Sequence, residues 1–220
     1  MGPSHRTISS SDRVTDFLQQ IIYQSQTRPI TAIVCSTREH FLEQLAAAVR
    51  APADGLREQS QLLTGTIGLL SQSNKIRLIF CPTLEHLRAY ISVLNVASTK
   101  PLETTREEQG QRPLLAVLNI LALHIPTSEF SAQGLSRALA AAVEATTREG
   151  VDLVLYECID EMDSPDESGR ALWEVRVPLL NNIRSGNEES ISKGGSVPVK
   201  KVAKRWFRFD NNDQPVYKHQ

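Results

Sequence analysis

The sequence has few cysteines, no long apolar run and almost no net charge. Its three cysteines, at positions 35, 81 and 158 of 220, are too scattered for a disulfide framework or a CxxC zinc site, and they suit a reducing compartment. No apolar run approaches the roughly 18 residues of a membrane span, and the polar start MGPSHRTISSSDR is not a signal peptide. A net charge of −1 gives no global case for binding nucleic acid or membranes. We expect a soluble, intracellular protein with no membrane partner.

A phosphate-binding loop is also missing. Such a loop places GxxxxGK[ST] directly after a strand, because glycine lets backbone amides approach phosphate and lysine neutralises it. After the apolar run ITAIVC (30–35) the chain reads STREHFLE, without glycine or lysine, and the GTIG of 65–68 has neither a preceding strand nor a lysine. The sequence therefore predicts no nucleotide cofactor, no metal, no catalytic residues and no enzymatic activity.

What is present is a regular alternation of apolar runs and amphipathic stretches. The predicted strands are 30–35, 75–81, 112–124 and 151–158, and the predicted helices are 12–26, 36–50, 82–95 and 127–150. Near-continuously apolar strands that alternate with helices are typical of a parallel sheet with helices on both faces. We predict an α/β fold in one domain, 11–210, between a disordered N-terminus (1–10) and a flexible tail (211–220).

The pattern changes near the C-terminus. In 171–181 and 197–210, apolar and polar residues alternate with period two and no helix separates the segments, which predicts an antiparallel hairpin at the sheet edge. The polar, glycine-containing stretch between them is long for a hairpin loop, and such loops are often functional.

Several polar residues follow the predicted strands. In nucleotide hydrolases a buried strand such as RPLLAVLNILALH (112–124) ends in a carboxylate that holds magnesium; here Asn119 stands at that position. We favour Asn119 as a hydrogen-bond partner of the backbone at a bend, His124 as a water-facing residue at the strand end, and Glu157 as a solvated carboxylate rather than a remnant acid. Thiol catalysis or metal binding by the cysteines is the alternative to core packing, which we favour because cysteine packs as a small hydrophobe.

The order of elements resembles the RecA fold, with 112–124 as a Walker-B-like strand. More narrowly, three stretches resemble the fungal Shu-complex recombinase paralogues that lack nucleotide motifs: KIRLIFCPTLEHLRAYISVLN, PLLAVLNILALHIPTSEFSAQGLSRAL and VAKRWFRF. The resemblance implies a non-catalytic nuclear subunit in homologous recombination and DNA repair. Its implied partners are a paralogous RecA-like protein, in a heterodimer or larger complex, a recombinase, and single-stranded or branched DNA. The motif-less RecA-like subunits of Elongator, which act in tRNA modification, fit nearly as well, and a thiol-dependent or nucleotide-using α/β enzyme is the third alternative.

A basic block near the C-terminus is the candidate DNA-binding site. Its members are Arg184, Lys193, Lys200, Lys201, Lys204 and Arg205, with Trp206 and Phe207 beside them. Clustered cations neutralise phosphates, and aromatic rings stack on bases. Protein contact, simple solvation, or protection of a strand edge against aggregation are the alternative roles of these charges.

Overall fold

Six parallel strands form the centre of the protein. The computed structural model describes residues 4–10, 13–50, 67–95, 111–158, 169–179 and 195–210. The sheet has the order β3-β2-β4-β5-β1-β8. Its strands are β1 (Arg6–Ser10), β2 (Ile30–Val34), β3 (Ile76–Phe80), β4 (Leu114–Leu118), β5 (Asp152–Glu157) and β8 (Arg208–Phe209), and a separate antiparallel pair consists of β6 (Arg176–Pro178) and β7 (Ser196–Pro198).

Helices cover both faces of this sheet. They are α1 (Val14–Gln24), α2 (Arg38–Arg50), α3 (Ile67–Ser73), α4 (Leu84–Ser92), α5 (Ile120–His124), α6 (Ala132–Glu149), α7 (Gly169–Glu174) and α8 (Val199–Ala203). Along β4, Leu115 and Val117 join one core cluster with residues of α4 and α6, whereas Ala116 and Leu118 join a second cluster with residues of α1 and α2. Because successive side chains of a strand point to opposite faces, these two clusters are the two sides of a three-layer structure. The predicted class is confirmed: α/β, a mainly parallel central sheet with helices on both faces, and a C-terminal antiparallel hairpin.

Local capping explains where α4 and α6 begin and end. The side chains of Thr83 and Ser131 accept backbone N–H groups of the first turn, and Gly150 (φ 67°) ends α6 in the left-handed region. Gly134 has a different role. A Cβ at this position would lie 2.1 Å from the Glu129 carbonyl oxygen, so glycine allows the preceding loop to pack against the first turn of α6.

At the amino ends of the strands, an ion pair joins three segments. The Arg28 Nη1 atom lies 2.9 Å from Asp152 Oδ2, and the His5 N–H donates to Asp152 Oδ1, also at 2.9 Å. Both charged side chains are largely buried, with 15% and 9% exposed. We call Arg28 and Asp152 the amino-edge ion pair, and the His5 N–H donates to it.

The predicted disorder of residues 1–10 is wrong for the part that the structure describes. Residues Arg6–Ser10 form β1, an internal strand that pairs in parallel with β5 on one side and β8 on the other. The sequence RTISS has no apolar alternation, and Ile8 is its fully buried residue. Pairing with strands that are distant in sequence, rather than local propensity, therefore orders this segment.

The predicted C-terminal hairpin is antiparallel, as expected, but its extent and its predicted place at the edge of the central sheet are wrong. The antiparallel strands β6 and β7 are only three residues each and form their own small sheet, while β8 alone joins the central sheet. Two short helices, α7 and α8, occupy positions predicted as strand. Val199 and Ala203, which are buried and four residues apart, mark one face of α8, and the alternating charges after them concealed this helical spacing. The predicted tail at 211–220 lies outside the described residues.

The inner face of helix α2 contains a polar residue. Phe41, Gln44 and Ala48 are buried, whereas Leu42 and Val49 are 49% and 39% exposed. In the described parts of the chain, no helix is both long and apolar enough to span a bilayer.

Candidate functional site

Four neighbouring strands are followed, or ended, by a polar residue at the same edge of the sheet. These residues, the carboxyl-edge row, are Cys81, Cys35, Asn119 and Glu157, from β3, β2, β4 and β5. Backbone hydrogen bonds continue the pairing of the strands into the row: Cys81 N to Val34 O (2.9 Å), Cys35 N to Leu118 O (3.0 Å) and Asn119 N to Tyr156 O (2.8 Å). The row therefore runs across the sheet, one residue per strand.

The row lies where an open α/β sheet binds ligands. From β2 the chain continues to β3 on one side, whereas from β4 it continues to β5 on the other side. Where successive strands are added in opposite directions from two adjacent strands, a crevice opens at the carboxyl ends of those two strands. The chemistry of the residues at this point therefore bears directly on whether the fold can bind a nucleotide.

Asn119 has a structural role at this reversal. It adopts the left-handed conformation (φ 62°, ψ 41°), which asparagine tolerates better than most residues. Its Oδ1 accepts the buried N–H of Cys158 at 2.8 Å. The predicted hydrogen bond to the backbone at a bend is confirmed, and the side chain oxygen is directed at β5 rather than at a ligand.

Glu157 is buried, so the prediction of a solvated carboxylate is wrong. Only 2% of the residue is exposed, and its Oε1 accepts the Leu121 N–H at 2.7 Å. Burial raises the pKa of Glu157 to about 8, although hydrogen bonds from the backbone N–H groups of Leu121, Ala122 and Ile120 oppose this rise. Its Oε2 has no partner among the described residues. The carboxyl group thus occupies the backbone N–H groups at the start of α5, the kind of place where a fold can bind an external anion.

The second apolar run of 112–124 is helix α5 and not a continuation of the strand, which also corrects the prediction for His124. This residue is fully buried, not water-facing, and its Nδ1 lies 2.9 Å from the Ile120 carbonyl oxygen. Burial lowers the pKa of His124 and favours the neutral imidazole.

The cysteines are buried, as predicted for core packing. Cys35 and Cys81 join the cluster with α4 and α6, whereas Cys158 joins the opposite cluster. Burial, the nearby Glu157 and the neighbouring Cys81 raise the pKa of the Cys35 thiol, and burial raises that of Cys81. Within the described ranges, no three His, Cys, Asp or Glu residues are grouped as a metal site.

Four of the predicted DNA-binding residues lie together on α8 and in the turn that follows it. Lys201, Lys204 and Arg205 are exposed, whereas Lys200 forms an ion pair with Glu174 (2.7 Å) and lies 5.6 Å from the centre of the Phe209 ring. The Arg205 guanidinium lies 5.3 Å from the centre of the Trp206 ring. Arg184 and Lys193 lie outside the described residues. We call Lys201, Lys204 and Arg205 the basic turn.

A cleft of 260 Å³ opens beside the carboxyl end of β3. Residues 82–85 and 126–129 line it together with Leu123, and the Arg88 guanidinium binds both carboxylate oxygens of Glu129 at its rim. The sequence gives no sign of this cleft, because Arg88 and Glu129 are 41 residues apart and neither belongs to a recognisable motif.

Comparisons with known proteins place the chain in a family. No curated protein matches it. Among solved structures, a DnaB-like replicative helicase, described with its interactions with primase, matches at 12% identity and a TM-score of 0.41. The match covers 87% of this chain and 55% of the helicase chain, so this chain spans little more than half of that protein's length. A sequence model of the family described as SPAC22G7.03-like matches residues 9–209, and the chain belongs to this SPAC22G7.03-like family.

Proposed function

We propose that this protein is a non-catalytic RecA-like subunit of a nuclear complex that acts in homologous recombination and DNA repair. In this proposal it binds a paralogous RecA-like partner and contacts DNA through the basic turn. The sheet acts as a frame for these surfaces and hydrolyses no nucleotide.

The observation that carries the non-catalytic part is the position of the Glu157 carboxyl group. It accepts N–H groups at the start of α5, at the edge of the sheet where a ligand would bind. The Leu121 N–H already donates to this carboxyl group and is not free to bind a phosphate oxygen, and the neighbouring Asn119 brings no charge to hold magnesium. The sequence also contains no GxxxxGK[ST] motif anywhere, so two of the parts that phosphoryl transfer requires are missing.

The basic turn supports the contact with DNA. Lys201, Lys204 and Arg205 are exposed within five residues, and an aromatic ring, Trp206, is adjacent. Their positions on a short helix and its C-terminal turn give them a common exposed surface, which is more favourable for phosphate contact than the alternating strand that the sequence predicted. Cations near a helix C-terminus also stabilise the helix dipole, so the test must separate binding from folding.

A nucleotide-binding measurement tests the non-catalytic part. Fluorescent ATP and ADP analogues with magnesium should show no saturable binding to the purified protein at concentrations up to 1 mM, on the order of typical KM values. Glu157→Gln removes the carboxylate and keeps the shape, and it should not create binding either, since the phosphate loop is still absent. Appreciable ATP affinity of the wild type would refute this part of the proposal.

A matched pair of charge variants tests the DNA contact. The Lys201→Gln/Lys204→Gln variant removes two exposed cations of the basic turn, and Arg38→Gln/Arg50→Gln removes two exposed cations of α2, on the other face of the sheet. We expect only the first to weaken binding to single-stranded or branched DNA. Because each phosphate contact contributes about 0.7 to 0.9 to the salt dependence of log K, its slope should fall by about 1 to 2. Equal affinities and equal slopes for both variants would exclude the basic turn as the DNA-binding surface.

Co-purification tests the partner and the alternative of a tRNA-modification complex. Helix α2 exposes Leu42 and Val49, and α1 exposes 72% of Tyr23, on the same face of the sheet. Leu42 and Val49 are seven residues apart and therefore lie on one side of α2, and exposed apolar patches often mark protein interfaces. We expect recombinase-family partners from cell extract, and their loss in Leu42→Glu but not in Glu43→Gln. Tighter binding of tRNA than of DNA, together with tRNA-modification partners, would favour the Elongator-type alternative.

A further inference from the structure

Two of the buried cysteines lie opposite one another on adjacent strands. In the parallel pair β2–β3, Val34 is the partner of Phe80, and the Cys81 N–H donates to the Val34 carbonyl oxygen at 2.9 Å. The next residues in register are therefore Cys35 and Cys81. Both side chains join the same core cluster, on the face covered by α4 and α6. The two thiols thus start from neighbouring positions and point to the same side of the sheet.

The spacing of adjacent strands suits a bond between them. Neighbouring strands lie about 4.7 to 4.9 Å apart, and disulfides join cysteines whose Cα atoms are about 4.4 to 6.8 Å apart. A Cys35–Cys81 bond therefore needs rotation of two side chains and little movement of the backbone. Cys158 cannot take part without a rearrangement, because it follows β5 and its side chain lies on the opposite face of the sheet.

We propose that Cys35 and Cys81 are a reversible dithiol–disulfide pair that a hydroperoxide oxidises. One thiolate attacks a peroxide oxygen, which breaks the O–O bond and gives a sulfenic acid, and with hydrogen peroxide the other oxygen leaves as water. The second thiolate then attacks the sulfenic sulfur, the S–O bond breaks, and a second molecule of water leaves. The two sulfurs lose two electrons, the peroxide gains them, and a dithiol reductant such as reduced dithiothreitol restores both thiols.

Oxidation of this pair joins the carboxyl ends of β2 and β3. The end of β2 lies beside β4, at the point where the order of the strands changes direction, and Asn119 and Glu157 continue the same row. The bond fixes the outer part of the carboxyl-edge row, which the reduced protein holds only by backbone pairing and packing. Because the thiolate is the reacting form and burial raises the pKa of both thiols, oxidation is slow at neutral pH and accelerates as the pH rises.

Mass spectrometry of the folded wild-type protein after treatment with hydrogen peroxide tests this inference. We expect the intact mass to fall by two hydrogens, one non-reduced proteolytic cross-link between the Cys35 and Cys81 peptides, and full reversal by dithiothreitol. The rate should increase at least several-fold between pH 7 and pH 9. Folding is monitored by circular dichroism in the same samples, so that the reaction is assigned to the native state.

Cysteine variants provide the controls. Cys158→Ala should form the cross-link as the wild type does, whereas Cys35→Ala and Cys81→Ala should not lose two hydrogens. The wild-type measurement decides the question even if a variant fails to fold. A bond that involves Cys158, a bond between two molecules, oxidation only to sulfinic acid, unchanged free thiols, or a bond that forms only in denaturant would each overturn the proposal.

Discussion

The two edges of the central sheet differ in the partners of their buried carboxyl groups. At the amino edge, the Asp152 carboxylate receives both the Arg28 guanidinium and the His5 N–H, each at 2.9 Å. At the carboxyl edge, Glu157 receives backbone N–H groups but no cation, and one of its oxygens has no partner among the described residues. Both carboxyl groups are buried, with 6% and 2% of the residue exposed.

The difference between the two edges is the presence of a cation: Asp152 has one beside it, and the carboxyl group of Glu157 does not among the described residues. The Arg28 guanidinium compensates the charge of the Asp152 carboxylate, whereas burial without a cation favours the protonated form of Glu157. Parallel sheets concentrate ligand binding at the carboxyl edge, and there this chain carries thiols, an amide and an acid with a raised pKa. The comparison indicates that the carboxylate paired with Arg28 at the amino edge stabilises the fold, whereas the Glu157 carboxyl group at the carboxyl edge destabilises it when ionised.

The largest effect is expected from breaking the amino-edge ion pair. Asp152→Ala leaves Arg28 without its carboxylate and the His5 N–H without an acceptor, so the free energy of unfolding should fall by about 4 kcal/mol at pH 7. Asp152→Asn keeps an acceptor for His5 and should lose less. Urea denaturation measures both. A loss below about 1 kcal/mol in the alanine variant would show that the two edges do not differ in this way.

The next effect concerns Glu157 and depends on pH. The pKa of about 8 in the folded state lies above the ordinary value of 4.5, so between these values the folded protein binds more protons than the unfolded chain. Stability therefore falls as the pH rises from 4.5 to 8. Glu157→Gln removes this dependence and should be more stable than the wild type by on the order of 3 kcal/mol at pH 8.5, with little difference at pH 5.

Unfolding at a series of pH values checks this expectation. Glu39→Gln removes an exposed carboxylate of α2 and serves as the control, since its curve should run parallel to that of the wild type. If the Glu157→Gln curve does so too, the carboxyl group is ionised at neutral pH and the contrast between the edges disappears.

The smallest of the three effects concerns Asn119, which contributes to stability through its side-chain acceptor and through its tolerance of the left-handed conformation. Asn119→Ala loses both the acceptor for the Cys158 N–H and the tolerance of the left-handed conformation, at a cost of about 2 kcal/mol. Asn119→Gly keeps the conformation and loses only the acceptor, so it should cost about 1 kcal/mol. Thermal unfolding distinguishes the two variants, and a glycine variant less stable than the alanine variant would contradict the role assigned to the backbone.

The apolar strands could be read from the sequence because burial on both faces leaves a continuous signal. ITAIV, LLAVL and the strand before Cys158 are such runs, and each is a strand of the sheet. β1 could not be read in this way. Its five residues are mostly Thr and Ser, and the strands that order it are more than 140 residues away. Local sequence carries no information about that pairing.

The site was harder to predict than the sheet. Position alone placed Asn119 and Glu157 at strand ends, but the turn at Asn119 sends α5 back over the end of β5, and this return buries Glu157. The apolar run ILALH fits a strand or a short helix equally well by composition. Because ILALH was predicted as strand rather than helix, Glu157 and His124 were both predicted to be exposed. In the structure, helix α5 buries both side chains.

The place of β1 between β5 and β8 has a consequence for the order of folding. Ile8 is the partner of Leu155 on one side and of Phe209 on the other. During synthesis these five residues leave the ribosome long before either neighbour exists, since β5 follows them by more than 140 residues and β8 by about 200. Folds dominated by such distant contacts form slowly. We therefore expect the last step of folding to be the closure of the β5–β1–β8 half of the sheet, after β2, β3 and β4 have already assembled.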